Sequence, residues 1–290
     1  MPEIILITGA SSGFGKLMTA SLVAKGNTVF ASMRGINGKN KGVADDLKSA
    51  GAHIVELDVT HDESVASAAR AVLKQVERLD VLVNNAGVGV IGLQETFTPE
   101  DWRHIFDINV FGVQRVVRAF LPHMRQKRKG LLVFVTSLLG RFTLPFYGPY
   151  NASKWALEAL AENYRSELSG FGIESCLVEP GGFPTAFHAN LVKPGDPNRD
   201  AGYGDFADAP MASFTHFQEA LKANPEQHPQ LVADAVAGLI ATPTGKRKFR
   251  TIVDKMGMGA HFEAYNDQLE TITQSIYSAF GMGDLLNVKG

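Results

Sequence analysis

The chain is predicted to fold as an α/β domain, a doubly wound parallel sheet of the Rossmann type. Three observations predict it. Apolar runs of five or six residues alternate with helical patterns along most of the chain. The runs are nearly continuous in apolar character, as expected of strands covered on both faces. A glycine-rich turn separates the first run from the first helical pattern, the place where such sheets bind phosphate. The 290 residues show no repeat and no low-complexity linker, so one domain over 1–290 is expected.

The strands are expected at Ile4–Thr8, Thr28–Met33, His53–Leu57, Leu79–Val83, Leu131–Thr136, Glu174–Glu179 and Phe249–Val253. Helices are expected at Gly13–Lys25, Asp62–Glu77, Pro99–Arg128, Tyr150–Gly170 and Gln230–Ala241. Thr98 before Pro99 supplies a capping hydroxyl and then a proline at the first helical position. Phe262, Tyr265, Leu269, Ile272 and Ile276 recur at helical spacing and predict an amphipathic helix over 260–280. Residues 182–229 break the alternation. They are rich in Pro, Gly, Asn and Asp, yet carry Phe183, Phe187, Phe206, Phe214 and Phe217. A long loop with that many aromatics reads as a lid over an apolar pocket.

Composition removes several classes. The net charge of −2 lacks the basic footprint of a nucleic-acid binder. The one basic run, Arg125 to Gly130, reads as a solvated helix C-terminus closed by glycine. Cys176 is alone, in a strand, and reads as a small buried hydrophobe; no metal-ligand spacing exists among the eight histidines. No apolar run approaches the roughly 18 residues that span a bilayer. A soluble, cytoplasmic protein is expected.

Thr8-Gly9-Ala10-Ser11-Ser12-Gly13-Phe14-Gly15 follows the first strand and opens the first helix. Glycines there allow positive φ and close backbone approach, and helix N-terminal amides favour phosphate. Farther on, Tyr150 and Lys154 stand four residues apart at the start of a helix, hence on one face. A phenol titrates near 10, and a cation within about 4–6 Å favours the phenolate. Such a tyrosine could exchange protons near neutral pH, as a general acid/base must. Tyr147 is a rival, but Asn151 rather than lysine lies four residues beyond it, so it and Phe146 read as pocket wall. Tyr164 reads as core.

The spacing Gly9-x-x-x-Gly13-x-Gly15, Asp58 after the third strand, Asn84-Asn85-Ala86-Gly87 after the fourth, Asn109, Ser137, Tyr150-x-x-x-Lys154, Pro180-Gly181 and Thr185 resembles the short-chain dehydrogenase/reductase family over residues 8–185. The resemblance implies that Gly9, Ser11, Ser12, Gly13, Phe14 and Gly15 surround a pyrophosphate. Asp58 and Val59 would meet adenine, and Asn85, Ala86 and Gly87 the adenosine ribose. Pro180, Gly181, Phe183 and Thr185 would flank nicotinamide, with Phe183 larger than the family's usual aliphatic residue. Tyr150 would be the acid/base. Lys154 would lower its pKa and bind ribose, Ser137 would polarise the carbonyl, and Asn109 would hold a water link.

The end of the second strand bears on the cofactor. An acidic residue there would bind a ribose 2′-hydroxyl. Met33 occupies the place and Arg34 follows, a guanidinium suited to a 2′-phosphate, so NADP(H) is expected over NAD. The Arg34 pattern and aromatic segment look most like the retinol and hydroxysteroid dehydrogenase branch, which implies a lipophilic carbonyl or alcohol. A nucleotide-binding scaffold without turnover, or an epimerase or dehydratase on this fold, would share most of these motifs. The family resemblance also implies a homodimer or homotetramer.

Overall fold

The computed structural model describes residues 2–289. Its strands are β1 (Ile4–Ile7), β2 (Thr28–Met33), β3 (His53–Glu56), β4 (Val81–Asn84), β5 (Gly130–Val135), β6 (Ile173–Pro180) and β7 (Arg250–Val253). Its helices are α1 (Gly13–Ala24), α2 (Lys41–Ser49), α3 (Asp62–Leu73), α4 (Pro99–Phe106), α5 (Gly112–Lys127), α6 (Gly148–Leu168), α7 (Ala209–Ala223), α8 (Gln230–Ala241) and α9 (Gly259–Ala279). All seven strands pair in parallel in one sheet, ordered β3-β2-β1-β4-β5-β6-β7. The chain steps from β1 outward to β3, then reverses to β4 and the far edge. That reversal leaves a crevice at the carboxyl ends of β1 and β4.

Every residue of β4, β5 and β6 is buried, which is why their sequences show no alternation. On one face Phe120, Leu157 and Ala161 pack against Leu82, Phe134 and Leu177, which seats α5 and α6. On the other, Met18, Leu22, Val232 and Val236 pack against Ile5, Val133 and Val178, which seats α1 and α8. Cys176 is buried in this second layer. Tyr164 stacks on Phe134, as its place in the helical pattern predicts.

The strands fall within two residues of expectation, but several helices differ. α2 was not anticipated, because only Ala44 and Leu47 are buried and so short an apolar signal is easily missed. α3 stops at Leu73, short of Glu77. The expected helix Pro99–Arg128 is divided by a π-helical turn, Asp107–Phe111. The Thr98 cap does form, reciprocally: Asp101 N donates to Thr98 Oγ1 at 3.2 Å and Thr98 N to Asp101 Oδ2 at 2.8 Å. Gly130 does not close α5; Arg128 takes the left-handed cap at φ 50° and Gly130 opens β5. Residues 182–229 are not one loop, since they contain α7, with Phe214 and Leu221 buried. Among the described residues no helix is long and apolar enough to cross a membrane.

Candidate active site

A cavity of about 810 Å³ runs along the carboxyl edge of the sheet, from the end of β2 to the aromatic segment after β6. Of the residues given catalytic or cofactor roles from the sequence, all but Gly15 and Asn109 line it. Gly9 and Gly13 have φ of +70° and +51°, which side-chain-bearing residues rarely adopt. A Cβ on Gly9 would also lie 2.8 Å from Ala86 Cα. Asn85 holds the turn from below, its Nδ2 donating to Thr8 O at 2.9 Å and Gly9 O at 3.1 Å. Ser12 makes no side-chain cap on α1, so the first amides of that helix keep their donors for another partner. This cradle fits a pyrophosphate.

Gly15 corrects the expectation. It lies behind the turn, where a Cβ would sit 2.7 Å from Asn85 Nδ2 and overlap the Gly9 carbonyl. Its role is close packing of α1 under the turn. Gly15→Ala is therefore expected to cost about 1–3 kcal/mol by overpacking. It should also weaken dinucleotide binding by disturbing the turn. Denaturant melts and a cofactor titration on the variant check both.

At the other end of the cavity Arg34 pairs with Asp58 at 3.5 Å. Burial raises the Asp58 pKa, but hydrogen bonds from Thr60 and the charges of Arg34 and His61 outweigh it, so Asp58 stays below the usual carboxylate range. Lys39 and Asn40 also line this end. Sequence reasoning missed them because Lys39 is brought close by the turn Gly35–Asn40, whose amides at Gly35 and Ile36 are held by the Glu56 carboxylate.

Across the cavity stand Ser137, Tyr150 and Lys154. Tyr150 sits in the first turn of α6 and Lys154 one turn farther, both buried. Ser137 follows β5 and lines the cavity with Tyr150, where its hydroxyl favours the phenolate. The predicted lowering of Tyr150 by Lys154 is not met. Burial dominates, and the Tyr150 pKa is pushed up to about 12. The lysine instead donates to Val135 O at 3.0 Å, with Nζ 5.6 Å from the centre of the Tyr150 ring. Burial drives the Lys154 pKa down to about 8, opposed by the Glu158 carboxylate. Lys154 is thus a charge that the protein interior only just retains.

Asn109 lies in the π-helical turn and does not reach the cavity wall. It brackets the backbone of Val88, accepting from Val88 N and donating to Val88 O, both at 2.9 Å, and donates to Ser153 Oγ at 3.0 Å. The widened turn swings this side chain inward, a frequent use of π-bulges near functional sites. Asn109 thereby fixes the Gly87 strand end beside Lys154, since a Cβ on Gly87 would lie 3.2 Å from Asn109 Oδ1 and 3.8 Å from Lys154 Nζ.

The remaining wall is aromatic. Phe187 is centred 5.8 Å from Tyr150, and Phe146, Tyr147, Phe214 and Phe217 line the same cavity. Phe146 holds φ at +74°, a strained value no sequence pattern announced. Two phenylalanines differ from these in burial. Phe183 is 2% exposed and packs edge-on against Phe14, so it meets the cavity with only a small part of its surface. Phe206 stays on the surface, packed on Phe146.

A sheet reversal under a phosphate cradle, facing a buried serine, tyrosine and lysine, defines a nucleotide-dependent oxidoreductase that interconverts carbonyl and alcohol groups. The chain belongs to the short-chain dehydrogenase family: the family model described as short chain dehydrogenase matches residues 3–195. The 3-ketodihydrosphingosine reductase of Bacteroides thetaiotaomicron is 38% identical over 189 residues, 65% of this chain and 67% of its own. Retinol dehydrogenase 8 of Bos taurus is 34% identical over 264 residues, 86% of this chain and 82% of its own. A short-chain dehydrogenase from Streptomyces avermitilis shares the fold with a TM-score of 0.76 at 29% identity, covering 98% of this chain and 99% of that one. Solved structures of the same fold include complexes with NADP and with NAD.

Proposed function

We propose that the protein is an NADP(H)-dependent reductase of a lipophilic ketone, able to run in reverse on the secondary alcohol, with Tyr150 as general acid/base. The observation that carries the reading is the buried Tyr150, sharing the cavity wall with Ser137 and Lys154 and placed between the phosphate cradle and an aromatic wall. NADPH, when bound, supplies the hydride. The chain does the rest. Gly9, Ser11, Ser12, Gly13 and Phe14 hold the pyrophosphate; Asp58 and Val59 meet adenine; Asn85, Ala86 and Gly87 line the ribose. Pro180, Gly181 and Thr185 border the nicotinamide end. Ser137 orients the carbonyl oxygen, and Tyr150 delivers the proton as negative charge develops there.

With its pKa raised by burial in the protein alone, Tyr150 carries its proton at neutral pH, and positive charge brought close to it is what eases the proton's release. Lys154 supplies the positive charge that offsets phenolate after the transfer. Segment 182–229 serves as the lid, with Phe187, Phe214 and Phe217 as its apolar lining. That lining, with relatives named for a sphingoid ketone and for retinol, supports a lipophilic substrate. Consumption of NADPH with a panel of steroid, retinoid and long-chain ketones tests the reading, and no turnover on any of them would overturn it.

The cofactor choice rests on Arg34. Its guanidinium is half exposed and can leave Asp58 for a 2′-phosphate. Met33→Asp/Arg34→Ala is expected to lose roughly ten- to hundredfold in NADPH affinity, the worth of one charged hydrogen-bonding partner. NAD(H) binding should hold or improve. Unchanged selectivity in parallel titrations would assign the choice elsewhere, with Lys39 the next residue to replace.

A further inference from the structure

Lys154 is 5% exposed, and its ammonium makes one hydrogen bond among the described residues, to a neutral carbonyl. A buried charge with so little support is costly. The groups around it are Tyr150 on its own helix, Val135 O and Ser137 at the end of β5, and Asn109 behind Gly87. None of these carries a charge at neutral pH. The charge that acts on Lys154 comes from Glu158, one turn farther along the same face of α6.

Glu158 is itself 2% exposed and stands at the centre of a buried ionic cluster. Arg141, from the turn after Ser137, pairs with its Oε2, and so does Arg250 of β7 at 2.5 Å. Glu179 of β6 shares Arg250 at 2.5 Å, and Glu162 takes both arginines from the next turn of α6. Asn266 of α9 donates to Glu179 at 2.7 Å. Two guanidiniums thus face three carboxylates, one more acid than base. Within this cluster Glu158 Oε1 has no hydrogen-bond partner among the described residues. It approaches Gly140 so closely that a Cβ there would lie 2.7 Å away. Burial and Glu179 push the Glu158 pKa up to about 7, with Arg141 and Arg250 opposing, so over the alkaline range where Lys154 titrates Glu158 is ionised, one turn from it on the same helix.

We infer that Glu158 is a positioning residue for the reaction, the buried counter-charge that the arginine cluster holds one turn behind Lys154. The inference rests on the proposed oxidoreductase reading. The cluster explains how a lysine can stay charged in so dry a site. Its arginines fix the carboxylate, and the carboxylate fixes the charge state of Lys154.

The test is the pH profile of kcat for the wild type, Glu158→Gln, Glu158→Asp and Glu162→Gln. Glu158→Gln should move the alkaline limb, where Lys154 loses its proton, to lower pH by about one unit, a tenfold loss of proton affinity. Glu158→Asp should restore most of the shift. Glu162→Gln removes a carboxylate from the same arginines but two turns from Lys154, and should leave the limb in place. If Glu158→Gln does not fold, Glu158→Gln/Arg250→Gln should move the limb in the same direction by less, because Glu158 is the nearer of the two charges to Lys154 and the lost Arg250 charge partly offsets it. A limb that stays put in the Glu158 variants, or moves equally in Glu162→Gln, overturns the inference. A wild type that turns over no carbonyl overturns the proposed function instead.

Discussion

Tyr150→Phe is expected to lower turnover by about 10²–10⁴-fold, the worth of a positioned general acid/base. The change removes one oxygen from a ring that stays buried between Phe187 and α6. Packing is conserved, so stability should change little. Lys154, the glycine turn and Asn85 are untouched, so NADPH should bind with nearly wild-type affinity. The expected split is a collapsed kcat with an intact cofactor titration. Full activity in the variant would show that the proton comes from elsewhere, with Tyr147 the nearest alternative phenol on the cavity wall. Tyr147 lacks the serine and lysine that serve Tyr150, and burial raises its pKa without a compensating partner.

Arg250→Met is expected to destabilise the fold by about 3–5 kcal/mol, the usual cost of removing one partner from a buried ion pair. Arg250 binds Glu158, Glu162 and Glu179 together, and its side chain is 8% exposed. Without it the three carboxylates share Arg141 alone. Burial and the charge of Glu179 already raise the Glu158 pKa, with both arginines opposing, so losing one arginine drives it higher still. Glu158→Gln/Arg250→Gln should cost much less than Arg250→Met, because it removes both signs of charge. Urea denaturation of the two variants measures the difference. Equal losses would mean that Arg250 acts by packing over Phe249, 5.1 Å away, rather than by charge.

The sheet was legible because its strands are apolar on both faces, and a continuous apolar run survives any choice of register. The phosphate turn was legible because only glycine serves at Gly9 and Gly13. Helices held by few apolar side chains were not. α2 seats two residues, and its signal was lost among polar neighbours. α7 was hidden by composition: Pro, Gly and Asp nearby suggested a loop, although Phe214, Phe217 and Leu221 stand at helical spacing. The π-helical turn could not be read at all. It goes with the pairing of Asn109 to the backbone of Val88, a partner 21 residues away in the chain.

Sequence alone determined the fold class, the place of the glycine turn and most of the residues that the cavity gathers. Those depend on local rules: strand and helix periods, glycine's freedom at positive φ, and the four-residue step that puts Tyr150 beside Lys154. Tertiary structure decided the electrostatics. Proximity to a cation predicted an easily ionised tyrosine, whereas burial leaves Tyr150 at about 12 and Lys154 at about 8. It also gathered Arg141, Glu158, Glu179, Arg250 and Asn266, which come from five separate segments, into one cluster behind the site. Desolvation and long-range pairing depend on what the folded chain excludes from water, and no stretch of sequence carries that by itself.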